Sequence, residues 1–100
     1  MKNLIQNFDK AFENKVRLGV MAALVVNSKL SFNTLKNLLD LTDGNLASHL
    51  KSLEKTKYIL VTKTFIGRKP NTTYEITPSG KTAFNLHLKA LEELINQQKQ

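Results

Sequence analysis

The stretch "LTDGNLASHLKSLEK", residues 41–55, decides how the rest of the chain is read. Leu46, Leu50 and Leu53 recur at helical spacing and define one apolar stripe. Asn45, Ser48, His49, Lys51, Ser52 and Lys55 fill the other positions. A merely solvated face carries more Glu and Lys, because those residues have the better helix propensity. Short polar groups in their place point to a face that something must approach closely. Thr42 suits the N-cap of this helix, and Asp43 lies in the first turn, where the helix dipole favours a negative charge.

Working upstream, Ser31 is placed to cap a short helix that carries Phe32, Leu35, Leu38 and Leu39, and "DLTDG" then interrupts the pattern. Two short helices joined by a few residues, the second with one leucine stripe and one polar face, form a helix-turn-helix pattern. Before them, Phe8, Phe12, Val16, Val20 and Leu24 repeat every fourth residue, with Met21 and Val25 widening the stripe. This spacing predicts a long first helix over about residues 7–27. Its apolar run, "LGVMAALVV", has nine residues, about half of what a bilayer-spanning helix needs, so it reads as a core helix and no membrane span is expected.

Downstream the period changes. "YILVTKTF", residues 58–65, and "TTYEIT", residues 72–77, are rich in β-branched and aromatic residues and predict two strands. Between them "IGRKPN" supplies turn chemistry through Gly67, Pro70 and Asn71 and puts Arg68 and Lys69 at the tip. "TPSGK" then opens a last helix over about residues 78–97, with Thr77 as cap and Pro78 at a position whose missing N–H costs nothing. Phe84, Leu88, Leu91 and Ile95 follow at i, i+4, i+7 and i+11, with Leu94 beside them. The expected fold is mainly α with a small β-hairpin, ordered helix, helix, helix, strand, basic turn, strand, helix. At 100 residues the chain has length for one core, so residues 1–100 are expected to form one domain.

This order resembles a winged helix-turn-helix domain. The segment "LTDGNLASHLKSLEKTKYILVTKTFIGRKPNTTYEITPSGKTAF" is similar to the core of MarR/ArsR-type transcriptional regulators, close to their small single-domain members. Three signatures carry the resemblance: the helix pattern "NLASHLKSLEK", the "KYI" that leads into the first strand, and the "TTYEITPSG" that joins the second strand to the last helix. It implies a homodimeric DNA-binding regulator, with the third helix in the major groove and the wing on the backbone or minor groove. Familiar branches of the group add metal-binding cysteines or longer dimerisation arms. This chain has no cysteine and little sequence outside the core, so an effector is left open.

The charge distribution agrees with that expectation. The formal net charge is +7, and residues 29–81 hold +5 of it, which suits a surface facing a polyanion. On the third helix Asn45, Ser48, His49 and Ser52 are the expected groove readers, with Lys51 and Lys55 toward the edges; Asn pairs bidentately with adenine and Lys reaches guanine or phosphate. In the wing, Lys63, Arg68 and Lys69 are expected on phosphate or in the minor groove. Ser31 with Lys36 is a weaker phosphate candidate. Phe8, Phe12, Val16, Leu88, Leu91, Leu94 and Ile95 offer the outer helices an apolar surface for a homodimer interface.

Other chemistry is weakly supported. The absence of cysteine excludes disulfides, thiolate zinc sites and a Cys nucleophile, and it fits a reducing, cytoplasmic setting. His49 and His87 are the only histidines and lack chelating carboxylates at helical spacing, so no metal and no cofactor are expected. Asp43, Ser48 and His49 are the residue types of a hydrolytic triad, but Ser48 and His49 are adjacent on a helix and point about 100° apart. With no P-loop and no GxGxxG, the chain is expected not to be an enzyme. The expected partners are double-stranded DNA and a second copy of the chain. The alternative is a winged-helix module for protein association with no specific DNA site; RNA ranks below both, because no aromatic stacking platform is visible.

Overall fold

The computed structural model describes residues 5–98, and its first long helix begins later than the apolar spacing predicts. Two side-chain caps cause the delay. Asp9 accepts from the Ala11 N–H at 2.9 Å and opens a 3₁₀ turn, Lys10–Phe12. Asn14 then accepts from the N–H groups of Val16 and Arg17 at 2.9 and 3.2 Å, and α1 runs Lys15–Val26. Asx side chains compete with the backbone ladder in this way, so a four-residue apolar spacing crosses a chain break that it cannot reveal. The expected helix over residues 7–27 is thereby corrected to a turn followed by a shorter helix.

Leu30–Ser31 forms a short strand, β1, which the sequence pattern does not reveal. Ser31 also caps α2 (Phe32–Leu39) by accepting from the Thr34 N–H at 3.1 Å. The helix closes on Asp40 in the left-handed region, φ 53°, where a short polar side chain is tolerated. Its N–H and that of Leu41 both return to the Lys36 carbonyl. Thr42 caps α3 (Asp43–Lys55) through the Asn45 N–H, as its residue type predicts.

β2 (Ile59–Ile66) and β3 (Lys69–Ile76) pair antiparallel in full register, and β1 adds to the other edge of β3 through Leu30–Tyr74 and Ser31–Thr73. The sheet order is β1-β3-β2. The hairpin turns on Gly67 and Arg68 alone, with Gly67 at φ 64°, so Pro70 and Asn71 lie within a strand and not in the loop. A two-residue loop closes on a hydrogen-bonded pair, here Ile66–Lys69, which puts Pro70 in the next, non-hydrogen-bonded pair with Phe65. Its missing N–H therefore faces the edge that β1 does not reach. α4 (Pro78–Gln97) follows, capped by Thr77 through the Gly80 N–H at 3.0 Å.

Phe12, Val16, Val20, Met21, Leu24, Leu35, Leu46, Leu50, Leu53, Ile59, Tyr74 and Phe84 form the core. Phe12 and Val16, expected at a dimer interface, are spent inside this chain. Phe12 packs on the rings of Tyr58, Phe84 and His87 at centroid distances of 5.1–5.7 Å. His87 is a satisfied core histidine: its Nδ1 accepts the Asp9 N–H at 3.1 Å. The Asp9 carboxylate accepts from the Tyr58 hydroxyl at 2.6 Å, so this turn is pinned to both α4 and the start of β2.

The α3–β2 corner is held by the "TPSG" segment. Lys57 sits at φ 65°, a costly conformation for a lysine, and its carbonyl accepts from the hydroxyls of Thr77 and Ser79 at 2.7 and 3.1 Å. The Thr77 N–H donates to the Tyr58 carbonyl, and Gly80 lies so close that an added Cβ would overlap that carbonyl oxygen.

Two predictions follow from this packing. Gly80→Ala forces α4 away from the corner and should cost about 2–3 kcal/mol of unfolding free energy in urea titration, as overpacking against backbone does. An unchanged midpoint would show that α4 tolerates the shift. The second concerns the Tyr58 phenol, which its hydrogen bond to Asp9, then burial, then the carboxylate charge push up to about 12 from an ordinary 10. The folded chain keeps this proton after the unfolded chain has lost it. Stability from this group is therefore intact below about pH 10 and is lost as pH rises toward 12. Tyr58→Phe should lose less stability across that interval than the parent; Tyr74, raised by burial and by Glu54, keeps part of the slope in both.

Candidate nucleic-acid interface

α3 is oriented by its leucines. Leu46, Leu50 and Leu53 are buried against the core, and the helix packs on α1 and β2. At about 100° per residue, Ser48, Lys51 and Lys55 then lie opposite the stripe, and all three are exposed. Asn45 is exposed on one flank. This redistributes the expected roles, since the lysines stand on the outward ridge and not at its edges. His49 and Ser52 are half-buried on the Asn45 side.

A residue that the sequence pattern does not flag explains His49. Arg17 of α1 places Nη1 3.1 Å from His49 Nδ1, and its Nε donates to the Ala11 carbonyl at 2.6 Å. A guanidinium only donates, so His49 Nδ1 accepts in this contact. Arg17 thus fixes the ring's orientation and ties the Lys10–Phe12 turn to α3. No spacing rule links residues 17 and 49, so only the fold brings them together.

The weak phosphate candidates are already engaged. The Ser31 hydroxyl caps α2 and donates to the Thr34 hydroxyl at 2.9 Å. Lys36 Nζ lies 2.8 Å from the Asp43 carboxylate, so its charge is neutralised across the turn between α2 and α3. These contacts explain both residues by local structure.

The wing carries its cations at the far end of the hairpin. Lys63, Arg68 and Lys69 are all exposed, and no acidic residue occurs between Glu54 and Glu75. Arg68 occupies the second turn position beyond Gly67, and Lys69 pairs across the ladder with Ile66. Lys51 and Lys55 on the outward ridge of α3 and Lys63, Arg68 and Lys69 on the hairpin are thus exposed cations on two different elements.

On α4, Phe84, His87 and Ala90 face the core, whereas Leu88, Leu91 and Ile95 are 47%, 43% and 48% exposed. These three lie at i, i+3 and i+7 on one uncovered face. Leu94 is half-buried, as is Phe8, whose ring centroid lies 5.3 Å from that of His87. The seven residues expected at a dimer interface are therefore not one surface: Phe12 and Val16 belong to the core, and the exposed apolar face is that of the last helix. Among the described residues no helix is long and apolar enough to cross a membrane, and no group of His, Asp and Glu clusters to hold a metal.

This arrangement is shared by known proteins. An uncharacterized protein of Methanocaldococcus jannaschii is 36% identical over 85 residues, covering 85% of this chain and 92% of that protein. The structure of a transcriptional regulator homologue from Pyrococcus horikoshii superposes with a TM-score of 0.85 at 32% identity, covering 97% of this chain and 94% of that one. YusO from Bacillus subtilis shares the fold at a TM-score of 0.81 and 16% identity, over 96% of this chain and 67% of its own. The winged-helix resemblance drawn from the third helix, the wing and the "TPSG" junction holds in the shared fold. Residues 16–95 match the model of the winged helix DNA-binding domain, and the chain belongs to that family.

Proposed function

We propose that this chain is a sequence-specific double-stranded DNA-binding transcriptional regulator that acts as a homodimer. The observation that carries the reading is the outward ridge of α3, where Ser48, Lys51 and Lys55 stand opposite a fully buried leucine stripe with Asn45 on the flank. A helix of 13 residues is about 20 Å long and fits a major groove about 12 Å wide. Short side chains bring its backbone close to base edges, Asn45 and Ser48 supply hydrogen bonds, and the two lysines reach guanine or phosphate. His49 adds a donor at Nε2. The wing cations lie at a distance from α3 along the hairpin and suit the neighbouring backbone or minor groove.

The uncovered Leu88, Leu91 and Ile95 face supports a two-fold dimer, in which the same patch of each copy covers the other. Such a dimer presents its two α3 helices to successive major grooves about 34 Å apart.

Selection from a random duplex pool with the purified protein is the direct test. An enriched inverted repeat with half-sites about one helical turn apart is expected; enrichment of nothing, together with a salt-insensitive complex with another protein, would favour a protein-association module. On the enriched duplex, Arg68→Ala should weaken binding to all sequences and flatten the salt dependence by about one phosphate's worth. Asn45→Ala should instead relax preference at one base position, by roughly 1–3 kcal/mol of discrimination. If both variants bind as the parent does, these side chains do not face DNA. Leu91→Glu tests the dimer independently: because Leu91 is exposed, the helix content should persist while sedimentation shifts to the monomer.

A further inference from the structure

The wing tip contains two side chains that no requirement of the fold explains. Phe65 is 73% exposed and Ile66 is 68% exposed, although both are large and apolar. As adjacent strand residues they project from opposite faces of the ribbon. Phe65 pairs across the ladder with Pro70, and Ile66 with Lys69, so the last two rungs before Gly67 and Arg68 are an apolar pair and a mixed apolar–basic pair. Strand formation does not demand this bulk. Thr62 and Thr64 on the same strand satisfy the same preference with a small, partly polar side chain.

The surroundings of the pair narrow the choice of occupant. Lys63 precedes the pair on β2, Arg68 and Lys69 follow it around the turn, and no carboxylate lies between Glu54 and Glu75 in the sequence. An apolar tip flanked by cations fits a polyanion that also offers apolar faces to insert between. Stacked base pairs behind a phosphate backbone have both properties. Proteins that enter the narrow minor groove often push Phe, Ile or Pro between base steps and bend the duplex.

We propose that Phe65, with Pro70 beside it on the same face of the ribbon, forms an apolar wedge that enters the minor groove beside the half-site and partly unstacks a base step, while Ile66 packs on the groove wall from the opposite face and Arg68 and Lys69 hold the flanking phosphates. This inference rests on the DNA-binding reading above and adds a class of specificity to it. The wedge favours flexible pyrimidine–purine steps, which unstack most easily, at positions where the protein makes no hydrogen bond to a base.

The experiment uses the full chain and a short duplex enriched from random-sequence DNA. 2-Aminopurine replaces adenines outside the half-sites, and the two ends carry a donor and an acceptor dye. The parent should raise the 2-aminopurine fluorescence at one step and bring the ends closer. The double variant F65A/I66A should bind at least about tenfold more weakly, because the apolar burial it loses exceeds the unstacking cost it no longer incurs, and leave both signals at the free-duplex level. Its salt slope should equal the parent's, because it removes no charge, whereas that of Arg68→Ala falls. Both side chains are exposed, so its circular dichroism should match the parent's.

The wedge is overturned if the parent binds the duplex with no fluorescence rise and no bend, or if F65A/I66A keeps both signals. It is also overturned if the double variant loses binding to phosphatidylglycerol vesicles while its duplex binding is unchanged. If the parent binds no duplex at all, the DNA-binding reading itself fails, an outcome distinct from DNA binding without a wedge.

Discussion

Burial of Leu46, Leu50 and Leu53 is the constraint on which the rest of the surface depends. Each leucine is 3% exposed or less, and full burial of such a side chain contributes about 1.5–3 kcal/mol. A rotation of α3 by one residue, about 100°, would trade this stripe for Ala47, Lys51 and Glu54 or for Asn45, His49 and Ser52 and would leave polar groups in the core without partners. The helix therefore has one stable orientation. The ridge of Ser48, Lys51 and Lys55 is outward because the leucines are inward, so the packing of the core and the chemistry of the surface are two sides of one choice.

The same constraint reaches elements distant in sequence. α3 ends at the Lys57 corner, whose positive φ is held by hydroxyls of Thr77 and Ser79, and Gly80 lets α4 approach the Tyr58 carbonyl. Tyr58 then reaches Asp9, and the turn after Asp9 offers the Ala11 carbonyl to Arg17, which orients His49 on α3. This contiguous chain of hydrogen bonds runs from α4 through the start of β2 and the N-terminal turn back to α3. It gives a physical route by which the setting of the last helix bears on the side chains beside the outward ridge.

Periodicity and capping chemistry made most of the architecture legible. Thr42, Ser31 and Thr77 cap the helices that their residue types predict, and the switch from a period near 3.6 to a period of 2 marks the hairpin. The misreadings come from local side-chain caps and from partners that the fold brings together, neither of which apolar spacing displays. Phe8, Phe12 and Val16 keep helical spacing, yet Asp9 and Asn14 break the helix between them. Pro70 looks like a turn residue but is tolerated in β3 because β1 pairs only with Thr73 and Tyr74. Lys36 looks like a free cation until the turn brings Asp43 within 2.8 Å. His87 could not be placed before the fold put the Asp9 N–H against its Nδ1.

The stripe on α4 shows where pattern and structure part most usefully. Phe84, Leu88, Leu91 and Ile95 form a regular apolar series, and a helix pattern of this kind ordinarily marks a core-facing side. Of this series the core takes only Phe84, and the buried side of the helix continues through Gly80, His87 and Ala90, with Gly80 set by its close approach to the Tyr58 carbonyl. The three later members are displaced onto an open face. Local hydrophobic periodicity says that a surface is to be buried but not by what. At α4 the remaining apolar surface exceeds what the described residues cover, and the two-fold contact proposed above would bury it without any further residue in the sequence.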